Sequence, residues 1–393
     1  MKRKILLIVM SVLMLCSCGR NAQSDGEPAK TSVPSDSTPS ESQGITEPQT
    51  DAEEKRVSFV GCGDNIVYYG NVREAAYSAA NGRSYDFRPT YAGVEDTVRD
   101  ADIAMINQET VMAAEFDFSY YPRFNGPVEM GQNLCELGFD VISIANNHML
   151  DKDSAGLVST IDYLKSLGIT LIGGYKSEEE YNALNIVEKN GIKIAFLAYT
   201  YGTNGIKPDG EYPVVIPLFD EAVVRRQIKA ARESADFVIV SAHWGTEDSF
   251  TPTDEQRSYA RIMAEAGADV IVGHHPHVLQ PIEWLYPDSG GRTLCVYSLG
   301  NFCAEQAYDR NMLGGMIKLD IVKQGDTVKT ENAVFLPTVY YFNKSFYGNY
   351  IYPFNEFTDV LAASHGISNY ENTISVQSLT GYLKNTISEE FLK

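Results

Sequence analysis

Histidine is scarce in this chain, with six residues in 393, and tryptophan occurs twice. Basic residues are also in deficit: 32 Lys and Arg stand against 52 Asp and Glu, a formal net charge of −20. That balance excludes general nucleic-acid binding, which needs cations to neutralise phosphates. It equally excludes docking on anionic lipid through a basic patch. None of the six cysteines forms a Cys-x-x-Cys pair, so no structural zinc knot is expected. An anionic ligand would need a local positive centre, which a bound cation can supply.

Long apolar runs are missing apart from one at the start. The segment ILLIVMSVLML follows a basic MKRK, is too short to span a bilayer comfortably, and reads as an export signal. It ends in Leu15-Cys16-Ser17-Cys18-Gly19. Leu at −3 and a small residue at −1 place Cys18 as the acylated residue of a bacterial lipobox. Cys16 does not fit, because bulky Leu15 precedes it. An ordinary cleaved signal is the other reading. The expectation is a signal peptide over 1–18 and a lipid anchor on the extracytoplasmic face of the cell membrane. Residues 19–56, rich in Ser, Thr, Pro, Glu and Gln, cannot bury enough surface to order themselves and read as a tether reaching about 30–40 Å. The body from Val57 keeps 25 basic and 44 acidic residues. Its Cys62, Cys135, Cys295 and Cys303 are either disulfide partners, which an exported protein permits, or small buried thiols.

Seven short apolar runs recur from Val57: VSFVGCG, IAMINQ, VISIAN, IAFLAY, FVIVSAH, VIVGHH and CVYSLGN. Helix-like stretches separate several of them, among them GPVEMGQNLCELG and TDEQRSYARIMAEAG. Continuous apolar strands alternating with amphipathic helices predict an α/β fold with covered strands. The residues that end those strands carry the chemistry: Asp64-Asn65, Asn107-Gln108-Glu109, Asn146-Asn147-His148, His243, His274-His275-Pro276-His277 and Asn301. Ligands bind outside the carboxyl ends of strands in open α/β sheets, so five of the six histidines are expected on one rim. Pro276 and the pre-proline rule predict extended backbone at His275, with His275 and His277 on one side. Mixed carboxylate, carboxamide and imidazole donors suit Mn, Fe or Zn, as one ion or two.

The order GDN, NQE, ANNHMLD, AHWGTE, GHHPHVLQ and SLGNF resembles the CapA/PgsA family of poly-γ-glutamate capsule synthesis, over residues 57 to 305. That family is similar to calcineurin-like metallophosphoesterases, so the resemblance implies a four-layer α/β/β/α sandwich with a dinuclear metal site. It implies Asp64 on a first metal, Glu109 bridging, Asn147, His243 and His275 on a second, and His277 returning to the first. His274 is an alternative to His275. His148 would be the general acid. Asp151 and Glu247 would orient imidazoles; otherwise they are a helix start and a solvated loop residue. Asn65, Asn107, Asn204 and Asn301 are further candidates for supporting or substrate contacts. Two departures stand out: Ile66 replaces a superfamily histidine, and Glu109 replaces a bridging Asp.

Residues 199–213 read as a lid or a long turn. The aromatic stretch 339–357 reads as sheet packing, or as a stacking surface for sugars. Residues 306–393 are expected to add strands MIKLDIV and TENAVFLPTVYY and a helix around 373–392, as an extension on the same domain. The implied function is metal-dependent hydrolysis at a phosphoryl or acyl centre of an anionic surface polymer such as poly-γ-glutamate. The alternatives are a non-catalytic accessory subunit of a membrane synthase or exporter, and a glycan-binding surface module.

Overall fold

In the computed structural model, which describes residues 53–80 and 82–392, the apolar runs become strands of two sheets. The first sheet starts with β1 (Lys55–Asn65), β2 (Ile103–Gln108), β3 (Val141–Ser143) and β4 (Thr170–Ile172), all parallel. β1 begins at Lys55, slightly ahead of the expected domain start at Val57. The export signal, Cys18 and the tether up to Ala52 lie outside the described residues.

The second sheet holds β5 (Asn185–Lys189), β6 (Ile192–Thr200), β7 (Phe237–His243), β8 (Val270–His274), β9 (Leu279–Leu285) and β10 (Thr293–Leu299). Its order is β5-β6-β7-β8-β10-β9, with a parallel centre and antiparallel edges at β5 and β9. The chain then returns to the first sheet. β11 (Asn301–Cys303) pairs with the end of β1, and β12 (Leu313–Gln324), β13 (Thr327–Tyr341) and β14 (Tyr350–Pro353) extend the sheet beyond it. The sheet runs β14-β13-β12-β1-β2-β3-β4. The two closing strands expected from the sequence are β12 and β13. The C-terminal helix is shorter than expected, Val376–Thr386, followed by a 3-10 turn at Glu389–Phe391.

Side-chain alternation builds the layers. Along β6, Ile192, Ile194, Phe196 and Ala198 face the core between the sheets, and Ala195, Leu197 and Tyr199 pack with Val224, Ile228 and Met263 of the outer helices Glu221–Ser234 and Asp254–Ala266. β7 and β8 divide the same way. Phe59 of β1 meets Phe196 across the sandwich at 6.4 Å between ring centroids. Beyond the first sheet, helices Glu129–Leu137 and Asp153–Ser166 bury Leu134, Leu157, Ile161 and Leu164. The fold is the expected four-layer α/β/β/α sandwich. Each such apolar side chain contributes about 1.5–3 kcal/mol on burial.

Helix ends set the entry of the strands. Helix Asp254–Ala266 opens with a capping box between Thr253 and Gln256 and stops at Gly267, φ +109, where the chain turns back into β8. Within 339–357, Tyr340, Phe342 and Phe357 are buried and β13 pairs with β14, so that stretch packs a sheet edge. The four cysteines among the described residues are free thiols. Because the parallel strands share a direction, β1, β2, β3, β7 and β8 deliver their last residues to one rim.

Candidate metal centre

Asp64 reaches the rim through an irregularity. β1 pairs Cys62 with Ile106 and then Asp64 with Asn107, so Gly63 is an extra residue, a β-bulge. Regular alternation would have placed Asp64 on the face of Cys62. The bulge turns it toward the second sheet instead. There Oδ1 accepts a hydrogen bond from Asn107 Nδ2 at 2.8 Å and lies 3.1 Å from His274 Nδ1. Oδ2 accepts the His275 N–H at 3.0 Å and lies 3.2 Å from His277 Nδ1. Only glycine fits at 63, since a Cβ would run into the Gly300 carbonyl, which accepts the Asp64 N–H at 3.0 Å.

Asn65 is a correction. It points to the opposite face, where it donates to Gln108 Oε1 at 2.6 Å and accepts from the Tyr91 hydroxyl. Adjacent strand residues face opposite ways, so Asp64 and Asn65 cannot both reach the rim.

Glu109 is fully buried just past β2, and neither carboxylate oxygen has a hydrogen-bond partner. Its Oε1 lies 3.8 Å from His243 Nε2, 3.8 Å from His277 Nε2 and 4.0 Å from His148 Nε2. His243 Nε2 is in turn 2.8 Å from Asn147 Oδ1, and the Asn147 amide donates to Asn204 Oδ1 at 3.2 Å. Three sets of donor atoms lie within 4.8 Å of one another: Asp64, Glu109 and His277; Glu109, His243 and His275; and Glu247, His275 and His277. Glu109 is common to the first two. His274 joins none of the three, which leaves it the role of holding Asp64. Asn301 Oδ1 lies 3.1 Å from His277 Nδ1.

The expected extended backbone around Pro276 is not what forms. His275 has φ +96 and His277 φ +56. Such conformations cost about 1–3 kcal/mol each outside glycine. At His275 the N–H bond to Asp64 and the ring contact with Tyr201, 4.5 Å between centroids, hold it there. The two imidazoles still converge, at 5.8 Å.

His148 Nδ1 lies 2.7 Å from Asp151 Oδ2 and its ring packs edge-on to Phe124 at 4.8 Å. Segment 199–213 covers this side of the site: Tyr201 stacks near His243 and His275, and Asn204 touches Asn147. Tyr201 escaped the sequence reading, although it follows β6 directly and obeys the same strand-end rule that marked His243. The sixth histidine, His365, lies in the C-terminal part, bonded to Tyr340 and Ile367 and pushed down to about 4 by burial.

Burial opposes the charge on Asp64, but hydrogen bonds from His274 and His277 carry its carboxyl well below the usual carboxylate range. Glu109 has no such donors, and burial pushes its carboxyl far up. Burial also pushes His243 far down and His275 down to about 3, so both are neutral lone-pair donors. It works against His277 too, but Glu109 and Asp64 carry that imidazole up to about 9. An unpaired buried carboxylate is costly. The free oxygens of Glu109, with donor atoms of His243 and His275 gathered within 4.8 Å, fit a site built around a divalent cation.

The family model for the bacterial capsule synthesis protein PGA_cap matches residues 57–306. The chain belongs to this family. Among relatives of this PGA_cap chain, the PGA biosynthesis protein CapA of Bacillus subtilis (strain 168) is 36% identical over 194 residues, 49% of this chain and 50% of that protein. The capsule biosynthesis protein CapA of Bacillus anthracis is 32% identical over 198 residues, 49% of this chain and 47% of that one. A probable polyglutamine synthesis accessory protein of Mycobacterium tuberculosis (strain CDC 1551 / Oshkosh) is 26% identical over 201 residues, 46% of this chain and 51% of that one. The PGA_cap chain thus spans about half the length of the relatives it matches. Among solved structures, the calcineurin-like phosphoesterase YfkN of Bacillus subtilis overlaps with TM-score 0.43 and 14% identity, covering 84% of this chain and 98% of that one. A 5′-nucleotidase precursor of Thermus thermophilus also scores 0.43, with 13% identity, covering 72% of this chain and 55% of that one. Neither solved structure bears on the activity of this protein.

Proposed function

We propose that this PGA_cap protein is a lipid-anchored, extracytoplasmic, metal-dependent hydrolase acting on an anionic surface polymer such as poly-γ-glutamate. One observation carries the hydrolase reading: Glu109, a buried carboxylate with both oxygens unpaired, faces the imidazoles of His148, His243 and His277. Asp64, Glu109 and His277 would hold one ion, and Glu109, Asn147, His243 and His275 a second. Mn, Fe or Zn bound there supplies Lewis acidity to a substrate oxygen and acidifies water.

The rest falls to the chain's own groups. Asn107 and His274 fix Asp64, and Asn301 fixes His277. Asp151 binds His148 Nδ1, so Nε2 faces the site and can protonate a departing group. Tyr201 packs on His275 and Asn204 bonds Asn147, so both line the site. The net charge of −20 disfavours a polyanion overall, and a cation-loaded rim would offset that locally. The names of the relatives, PGA biosynthesis and capsule biosynthesis, support the choice of polymer.

A second reading is a non-catalytic accessory subunit that binds polymer carboxylates through the ions and works with a membrane synthase or exporter. Ile66 favours it, because this buried side chain cannot ligate where the wider superfamily has a histidine. The test is incubation of metal-loaded protein with poly-γ-glutamate and with a generic phosphodiester, beside H243A and H275A. Cleavage that both variants lose supports the hydrolase. Chelator-sensitive polymer binding without cleavage supports the accessory role. Binding and cleavage that both ignore a chelator would overturn both.

A further inference from the structure

We propose that Glu247 is a third carboxylate ligand of the centre, on its solvent side, offsetting the imidazole that Ile66 does not provide. This assignment rests on the metal reading above. The exposed Glu247 carboxylate and the imidazoles of His275 and His277, which are only 3% and 4% exposed, offer donor atoms mutually within 4.8 Å. An exposed glutamate has many solvated positions open to it, and here it lies over two buried nitrogen donors.

The backbone explains why it stays there. The next residue, Asp248, has φ +62 and donates its N–H to the carbonyl of Pro276 at 2.9 Å. Asp248 Oδ1 accepts from Asn311 Nδ2 at 2.9 Å and from Arg310 Nε at 3.1 Å, and the same Asn311 amide reaches the His277 carbonyl at 3.2 Å. One small network therefore ties the loop bearing Glu247 to the loop bearing both imidazoles.

The side chain at position 66 accounts for the need. Ile66 is 2% exposed and packs with Phe124 and Ala304, so it presents only hydrocarbon. The set around Asp64 is left with two carboxylates and one imidazole. Glu247 shares His277 with that set and adds a carboxylate oxygen beside His275 and His277, and oxygen-rich donor sets favour Mn over Zn.

The test is calorimetric titration of the full chain with Mn²⁺ and separately with Zn²⁺, in wild type, E247Q and E255Q. E255Q removes an exposed carboxylate that belongs to none of the three donor sets and so measures general charge loss. In E247Q, Mn²⁺ binding at one site should weaken at least about tenfold, Zn²⁺ binding less, and E255Q should match wild type. Unchanged Mn²⁺ affinity in E247Q, or equal weakening in E255Q, overturns the ligand role while leaving the metal centre intact. A wild-type chain that takes up neither ion overturns both.

Discussion

Asp151 Oδ2 lies 2.7 Å from His148 Nδ1 and also accepts the Phe124 N–H at 2.6 Å. One carboxylate oxygen thus fixes both the imidazole and the backbone of the ring packed against it. Glu109 Oε1, 4.0 Å from His148 Nε2, lies on the other side of the imidazole. Asp151→Asn keeps the shape but removes the negative charge that faces Nδ1–H and supports the imidazolium, the form whose Nε2–H can be donated. Polymer or phosphodiester turnover should fall about 10–100-fold with metal content unchanged. Metal analysis beside steady-state rates checks this, and full activity in the variant would remove His148 from the proposed role.

Gly63 is the residue whose bulge aims Asp64. Gly63→Ala pushes a methyl into the Gly300 carbonyl and must displace β1 or β11. Stability should drop by roughly 1–3 kcal/mol, and metal affinity should fall with it. Chemical denaturation and metal titration read the two effects. A variant with wild-type values for both would mean that the bulge does not position Asp64.

Glu305 gives a pH dependence separate from the metal donors. Its Oε2 accepts the Gly70 N–H at 3.2 Å at the start of helix Tyr69–Ser78, and Oε1 has no partner. Burial pushes the carboxyl up to about 7 from an ordinary 4.5. The folded state therefore holds this proton to higher pH. The contribution is full below about 4.5 and is lost as pH rises through about 7. Glu305→Gln cannot ionise, so its stability relative to wild type should increase from about pH 5 to pH 8, by up to about 3 kcal/mol. Denaturant midpoints across that range measure it, and parallel pH profiles would contradict it.

Cys18→Ser should move the protein from the membrane fraction to the soluble fraction and remove a diacyl mass from the N-terminal peptide. Retention in the membrane fraction would refute the lipid anchor.

Much of the centre was readable because parallel strands deliver their last residues to one edge. Asp64, Glu109, Asn147, His243, His275 and His277 converge for that reason, from segments far apart in the chain. Asn65 was misplaced because the strand-end rule selects positions and not faces, and one inserted residue at Gly63 decides which neighbour points inward. The backbone at His275 and His277 was unreadable for a different reason: the pre-proline preference is local, and a tertiary hydrogen bond to Asp64 outweighs it. The insertion of β12 to β14 beside β1 is a long-range pairing, which no local pattern in 306–393 could specify. Short strands such as β4 and β14 leave too few residues for alternation to register.

The decisive measurement is anomalous diffraction, at the Mn, Fe and Zn edges, from crystals of protein purified without chelator and without added metal. The expected result is at least one anomalous peak in direct contact with Glu109 and His243 or His277. No peak at any edge, with both Glu109 oxygens still unpaired, would contradict the metal centre on which the proposed chemistry depends.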